Sequence, residues 1–135
     1  MALEQDTGKI PRYHILVADD HISIRELIVL FLSKQGHQCI TARNGTEVLK
    51  KINQDKFDAV ITDLAMPEID GISLTKELLS LCPELPIMVM TGYTKKYSAE
   101  SVRRAGVRSF IWKPFRIDEF IHRFNEMMGN RETPS

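Results

Sequence analysis

The chain is poor in the residues that staple small folds, with only two cysteines and one tryptophan in 135 residues. Cys39 and Cys82 stand apart, and no CxxC or paired histidine spacing accompanies them. That pattern predicts two buried thiols in a reducing, cytoplasmic setting and excludes a disulfide framework or a zinc site. Charge of one sign is missing too. Eighteen Lys and Arg balance eighteen Asp and Glu, so no global field draws the chain to nucleic acid or to an acidic membrane surface. No apolar run approaches the length that spans a bilayer, and residues 1–12 are polar, without the apolar core of a secretory leader. Internal repeats and low-complexity stretches are absent as well. A 43% apolar composition in a chain of this length makes one domain with an adequate core.

Four short apolar runs each end in a polar residue. Ile15-Leu16-Val17-Ala18 leads into Asp19-Asp20, and Ala59-Val60-Ile61-Thr62 into Asp63. Ile87-Met88-Val89-Met90 leads into Thr91, and Phe110-Ile111-Trp112 into Lys113. Short apolar runs bounded by turn chemistry read as strands buried on both faces. A weaker run, Gln38 to Ala42, reads as an edge strand. Helical spacing lies between the runs. Ile24, Leu27, Ile28 and Phe31 follow the first strand, with Ser23-x-x-Glu26 as a predicted capping box and Gly36 as the stop. Asn44-Gly45 opens a helix with Val48, Leu49 and Ile52, and a loop from Leu64 to Asp70 precedes one with Leu74, Leu78 and Leu81. A polar helix is predicted over 95–104, anchored by Ala99 and Val102 and ended by Gly106. Ile117, Phe120, Ile121, Phe124 and Met128 form the stripe of the last helix.

Five such β-α repeats predict an α/β fold, a doubly wound five-stranded parallel sheet with five helices in the flavodoxin-like layout. The predicted domain spans 13–129. Residues 1–12 read as an N-terminal tail, and 130–135 as a C-terminal tail or the start of a linker.

In an open α/β sheet, ligands sit beyond the carboxyl ends of the strands. Asp19, Asp20, Asp63, Thr91 and Lys113 therefore meet at one edge. A carboxylate can attack phosphorus and hold the group as a mixed anhydride, and Asp63 is the candidate nucleophile. Crowded carboxylates need a counter-charge. Mg²⁺ is the expected one, being hard and partial to carboxylate oxygen and phosphate. Three carboxylates against one divalent cation and the Lys113 ammonium leave a neutral site. Lys113 suits one phosphoryl oxygen as a point charge, and the Thr91 hydroxyl suits another. The backbone at Leu64 and Ala65 can supply an N–H donor and a carbonyl for the metal.

Asp19-Asp20, the run from Asp63-Leu64-Ala65-Met66-Pro67 to Asp70-Gly71, Thr91-Gly92 and Lys113-Pro114-Phe115 together resemble the response-regulator receiver domain, the CheY-like family. The resemblance covers nearly the whole chain. It implies that Asp63 accepts phosphate from the phosphohistidine of a sensor histidine kinase or histidine phosphotransfer protein. It further implies that Asp20, Asp63 and the Ala65 carbonyl ligate Mg²⁺, with Asp19 acting through water, and that the Lys113–Pro114 peptide is cis. A switch is implied as well. Thr91 moves toward the phosphorylated Asp63, Phe110 turns inward, and the face formed by the last two helices and the last strand signals to a downstream effector or a fused output domain. Phe110 stands where tyrosine is common in the family, and Tyr93 is positioned to shield the phosphoryl group from water.

Taken singly, Asp19-Asp20 is an ordinary strand-to-helix turn, Thr91-Gly92 a bend and Lys113-Pro114 a solvated charge; their joint occurrence gives them meaning. A haloacid-dehalogenase-type phosphatase would carry a second acid two residues after the nucleophile, where this chain has Ala65. A flavin or nucleotide module would need a Gly-rich phosphate loop after the first strand, where this chain has two acids. His21 lies beside the acid pair, but Mg²⁺ prefers oxygen ligands. His122 reads as a solvated helix-face residue and Trp112 as edge-strand packing. Lys95, Lys96, Arg103, Arg104 and Arg108 read as a solvated face, which without interleaved aromatics is no nucleic-acid interface.

Overall fold

The computed structural model describes residues 12–92 and 98–132. Tyr93, Lys95 and Lys96, the segment 1–11 and residues 133–135 lie outside the described residues. Strands β1 (His14–Ala18), β2 (Gln38–Ala42), β3 (Ala59–Asp63), β4 (Ile87–Thr91) and β5 (Ser109–Trp112) alternate with helices α1 (Ile22–Lys34), α2 (Gly45–Gln54), α3 (Gly71–Leu81), α4 (Ala99–Arg104) and α5 (Ile117–Glu132). The strands form one parallel sheet in the order β2-β1-β3-β4-β5. The direction of winding reverses between β1 and β3, which is where such sheets open a crevice. No described helix is long and apolar enough to cross a membrane.

Period-two alternation splits the core into two layers. Ile15, Val17, Ile61, Met88, Met90 and Ile111 face α1 and α5, where Ile28, Leu32, Phe120 and Phe124 meet them. Leu16, Ala18, Val60 and Val89 face the other way, against Val48, Leu74, Leu78 and Val102. All five residues of β3 and of β4 are buried, whereas β2 exposes Gln38 and Ile40, as an edge strand does.

Several local expectations are corrected. The Ser23–Glu26 capping box is not formed: α1 starts at Ile22 with His21 as its N-cap and no side-chain cap. The Asp19 carboxylate instead accepts the His21 N–H at 2.9 Å, tying the chain just ahead of the helix. Within the described residues, α4 begins at Ala99, where Ser98 and Ser101 cap each other reciprocally. The last helix runs from Ile117 through Glu132. Cys39 and Cys82 are free but only half-buried, and burial pushes the Cys39 thiol up to about 11. Gly36 and Gly106 end α1 and α4 at φ +97° and +100°, the left-handed conformation in which glycine carries no Cβ penalty.

Candidate functional site

Each of the three charges at the centre of the site is the residue at or just past the end of a strand. Asp19 follows β1, Asp63 ends β3, and Lys113 follows β5. Alternation along their strands gives all three the parity of the α1–α5 layer. Asp19 is fully buried and Asp63 is 3% exposed, so neither carboxylate is dispersed by bulk water. Lys113 reaches across the sheet and donates to both, 2.8 Å from Asp19 Oδ2 and 3.0 Å from Asp63 Oδ2. The Lys113–Pro114 peptide is cis.

The remaining carboxylate oxygens are also held. Asp63 Oδ1 accepts the Ala65 N–H at 3.1 Å. Asp19 Oδ1 accepts the His21 N–H and lies 3.2 Å from His21 Nδ1. Arg25, one turn into α1, donates to the Asp19 carbonyl at 2.8 Å. Sequence reasoning passed over Arg25; the only signal for it is a cation on the helix face that follows the acid pair. Asp20 is exposed, with Oδ1 3.2 Å from the same His21 nitrogen.

Burial pushes the Asp63 carboxyl above its ordinary range; the Ala65 N–H and Lys113 pull it down, and the neighbouring Asp19 charge pushes it up. Burial pulls the Lys113 ammonium down, but its hydrogen bonds to Asp19 and Asp63 outweigh that and leave it above its usual value. One ammonium thus faces two buried acids, with Asp20 beside them. Asp19, Asp20, His21 and Asp63 each bring one donor atom within 4.8 Å of the others. A donor set dominated by carboxylates fits a hard divalent cation.

The loop after Asp63 is tightly determined. Leu64 donates its N–H to the Met90 carbonyl at 3.0 Å. A Cβ on Gly71 would stand 2.6 Å from the Leu64 Cα, so only glycine lets α3 start against the strand that carries Asp63. Glu68 adopts φ +80°, a conformation that costs a non-glycine residue roughly 1–2 kcal/mol, and its carboxylate accepts the Thr46 hydroxyl of α2 at 2.7 Å. Asp70 caps α3 through Ser73.

Thr91 is buried at the end of β4, opposite Trp112 of β5, while Phe110 pairs with Val89. Thr91 and Phe110 therefore share one side of the sheet, the side opposite in parity to Asp19, Asp63 and Lys113. Phe110 is half-buried, edge-on to Trp112 at 5.8 Å and beneath the Arg103 guanidinium at 5.9 Å. Trp112 is 45% exposed, and His122 is exposed as expected.

A family model described as the response regulator receiver domain matches residues 15–125. The transcriptional regulatory protein GlrR of Escherichia coli (strain K12) is 36% identical over 101 residues, 75% of this chain and 23% of that protein. The chain thus spans about a quarter of the length of such a relative. The receiver domain of NtrX from Brucella abortus matches with a TM-score of 0.80 and 33% identity, over 85% of this chain and 98% of that one. The response regulator TrrA from Thermotoga maritima, solved in complex with Mg(2+)-BeF, matches with a TM-score of 0.76 and 33% identity, over 84% of this chain and 97% of that one.

Proposed function

The chain belongs to the response regulator receiver domain family, and from that premise we propose that Asp63 is its phosphoacceptor. The donor is the phosphohistidine of a sensor histidine kinase or of a histidine phosphotransfer protein. An Asp63 carboxylate oxygen attacks phosphorus as the phosphorus–nitrogen bond to the donor imidazole breaks. The imidazole leaves with that electron pair, and the product is a mixed carboxylic–phosphoric anhydride. The observation that carries this reading is the single Lys113 ammonium set between Asp19 and Asp63, at 2.8 and 3.0 Å. Such a group holds the nucleophile in place and offers a positive charge to an incoming phosphoryl oxygen.

Asp20, Asp63 and the Ala65 carbonyl, with Asp19 through water, are the residues assigned to Mg²⁺. When bound, Mg²⁺ supplies the counter-charge that lets a phosphoryl group approach clustered carboxylates. Water attacking the same phosphorus returns Asp63 to its free form, so the domain promotes both the gain and the loss of its phosphate.

The new charge is read on the other side of the sheet. The Thr91 hydroxyl donates to a phosphoryl oxygen, and Phe110 takes up the space that Thr91 vacates. Their common side of neighbouring strands supports this coupling, which presents α4, β5 and α5 in a changed form to an effector or an attached output domain. The setting is cytoplasmic, and the domain itself contacts neither nucleic acid nor membrane.

Intact-mass analysis after incubation with Mg²⁺ and a small acyl phosphate tests the reading. Wild type gains one phosphoryl group and Asp63→Asn gains none; equal gain in the two proteins overturns it.

A further inference from the structure

The outer edge of β2 is open main chain. Gln38 donates its N–H to the Tyr13 carbonyl, and the Ala42 carbonyl accepts the Asp19 N–H. Main-chain groups point to alternate sides along a strand, so Gln38, Ile40 and Ala42 face β1 while Cys39 and Thr41 face outward. Among the described residues, Lys51 takes the outward Thr41 carbonyl, and no hydrogen bond takes the Cys39 carbonyl or the N–H of Cys39 or Thr41. The Thr41 carbonyl keeps a second lone pair beside Lys51. The strand itself, Gln38-Cys39-Ile40-Thr41-Ala42, carries none of the charges that usually blunt an edge. Apolar surface flanks it on both faces. On one, Thr41 borders a groove of about 440 Å³ with Ile22, Val29 and Leu30; on the other, Ile40 opens onto Phe57. Ile22, Leu30 and Ile40 are all exposed.

We propose that β2 is the edge through which two copies of this chain join, in an antiparallel pair whose two-fold axis passes through Ile40. The pattern is self-complementary, as such an axis demands. Cys39 stands opposite Thr41 of the second copy and exchanges both N–H···O bonds with it, once on each side of the axis. The charges agree with that register. Asp55 lies 3.8 Å from His14 Nδ1, and His14 is level with Gln38, so a carboxylate marks one end of the edge. Arg43, directly after Ala42, marks the other. The axis sets Arg43 of each copy opposite position 37 of the other, and hence beside its Asp55; both side chains are exposed. Antiparallel joining turns the carboxyl ends of the two sheets in opposite directions, which leaves Asp63 of each copy uncovered.

Sedimentation equilibrium of the whole chain should show a reversible dimer. Thr41→Pro deletes an outward N–H and no bond to β1, a position at which an edge strand accepts proline. Losing that donor from both copies should weaken the dimer about 10–100-fold. Arg43→Glu should weaken it by less, and Arg43→Glu combined with Asp55→Arg should restore it. Disulfide trapping in a chain carrying Cys39→Ser and Cys82→Ser reads the register. Ile40 faces its counterpart across the axis with Cα atoms about 4.5 Å apart, within disulfide reach, so Ile40→Cys should cross-link under mild oxidation. Gln38→Cys, about 13 Å from its counterpart, should not. A wild-type chain that stays monomeric at millimolar concentration overturns the proposal. So does a dimer indifferent to Thr41→Pro or to the charge swap, or one trapped by Gln38→Cys and not by Ile40→Cys.

Discussion

The two ends of the same sheet handle buried polarity in opposite ways. At the amino end, polar side chains are matched to backbone. Asp58 accepts the His14 N–H at 2.8 Å, and His37 Nδ1 accepts the Tyr13 N–H at 3.1 Å. The His37 ring stacks on Tyr13 and meets Phe124 edge-on. At the carboxyl end, charges are matched to one another, and imperfectly: Asp19 and Asp63 share one Lys113 ammonium. The amino end leaves one buried ring nitrogen, His37 Nε2, without a hydrogen-bond partner, whereas the carboxyl end gathers Asp19, Asp20 and Asp63 around a single ammonium. Catalytic carboxylates are commonly kept in such uneven company.

Substitutions separate the two ends. The largest expected effect is at the nucleophile: Asp63→Asn abolishes phosphoryl uptake while making the fold more stable. Burial already raises the Asp63 carboxyl, so its ionised form is a burden on the folded state at neutral pH. Removing that charge leaves Lys113 paired with Asp19 alone, a gain of about 1 kcal/mol measurable by urea unfolding in chelator. Gly71→Ala follows, because its new Cβ would meet the backbone of Leu64 at 2.6 Å. Overpacking against backbone should cost about 3 kcal/mol and slow phosphoryl uptake by displacing the Asp63 loop.

Changes at the amino end should leave phosphoryl uptake intact. Asp58→Ala removes the acceptor for the His14 N–H and should cost about 1 kcal/mol in urea unfolding, with the mass shift on phosphorylation unaltered. The smallest effect concerns pH. Burial lowers the His37 pKa, so the folded chain takes up the proton at lower pH than the unfolded chain does. Stability from this group is complete above the ordinary imidazole value, about 6.5, and is lost as pH falls through the folded value. His37→Phe should be less stable throughout and lose less than wild type between neutral and mildly acidic pH. A parallel decline in the two proteins would assign the acid sensitivity elsewhere.

Much of this comparison was legible in the residues. Runs such as Ile15–Ala18 and Ala59–Thr62 are too apolar for any place but a sheet buried on both faces, and each ends in the residue whose chemistry matters. The strand-end rule then gathers Asp19, Asp63 and Lys113 without reference to the order of the strands. Less legible was whatever depends on contact across the fold. Nothing in the sequence showed that the Asp19 carboxylate would accept the His21 N–H and that α1 would start at Ile22, ahead of the Ser23 cap. Arg25 resembles an ordinary surface residue until α1 is packed against the sheet and its guanidinium meets the Asp19 carbonyl. The common side of Thr91 and Phe110 needed the register between β4 and β5, which no single segment encodes.

The most direct measurement is the location of the phosphoryl group. Borohydride reduction of the acyl-phosphate-treated protein converts an aspartyl phosphate to homoserine, and peptide mass spectrometry then finds the residue. Homoserine at position 63 alone is the predicted result; homoserine at position 19 or 20, or at no acidic residue, would contradict it.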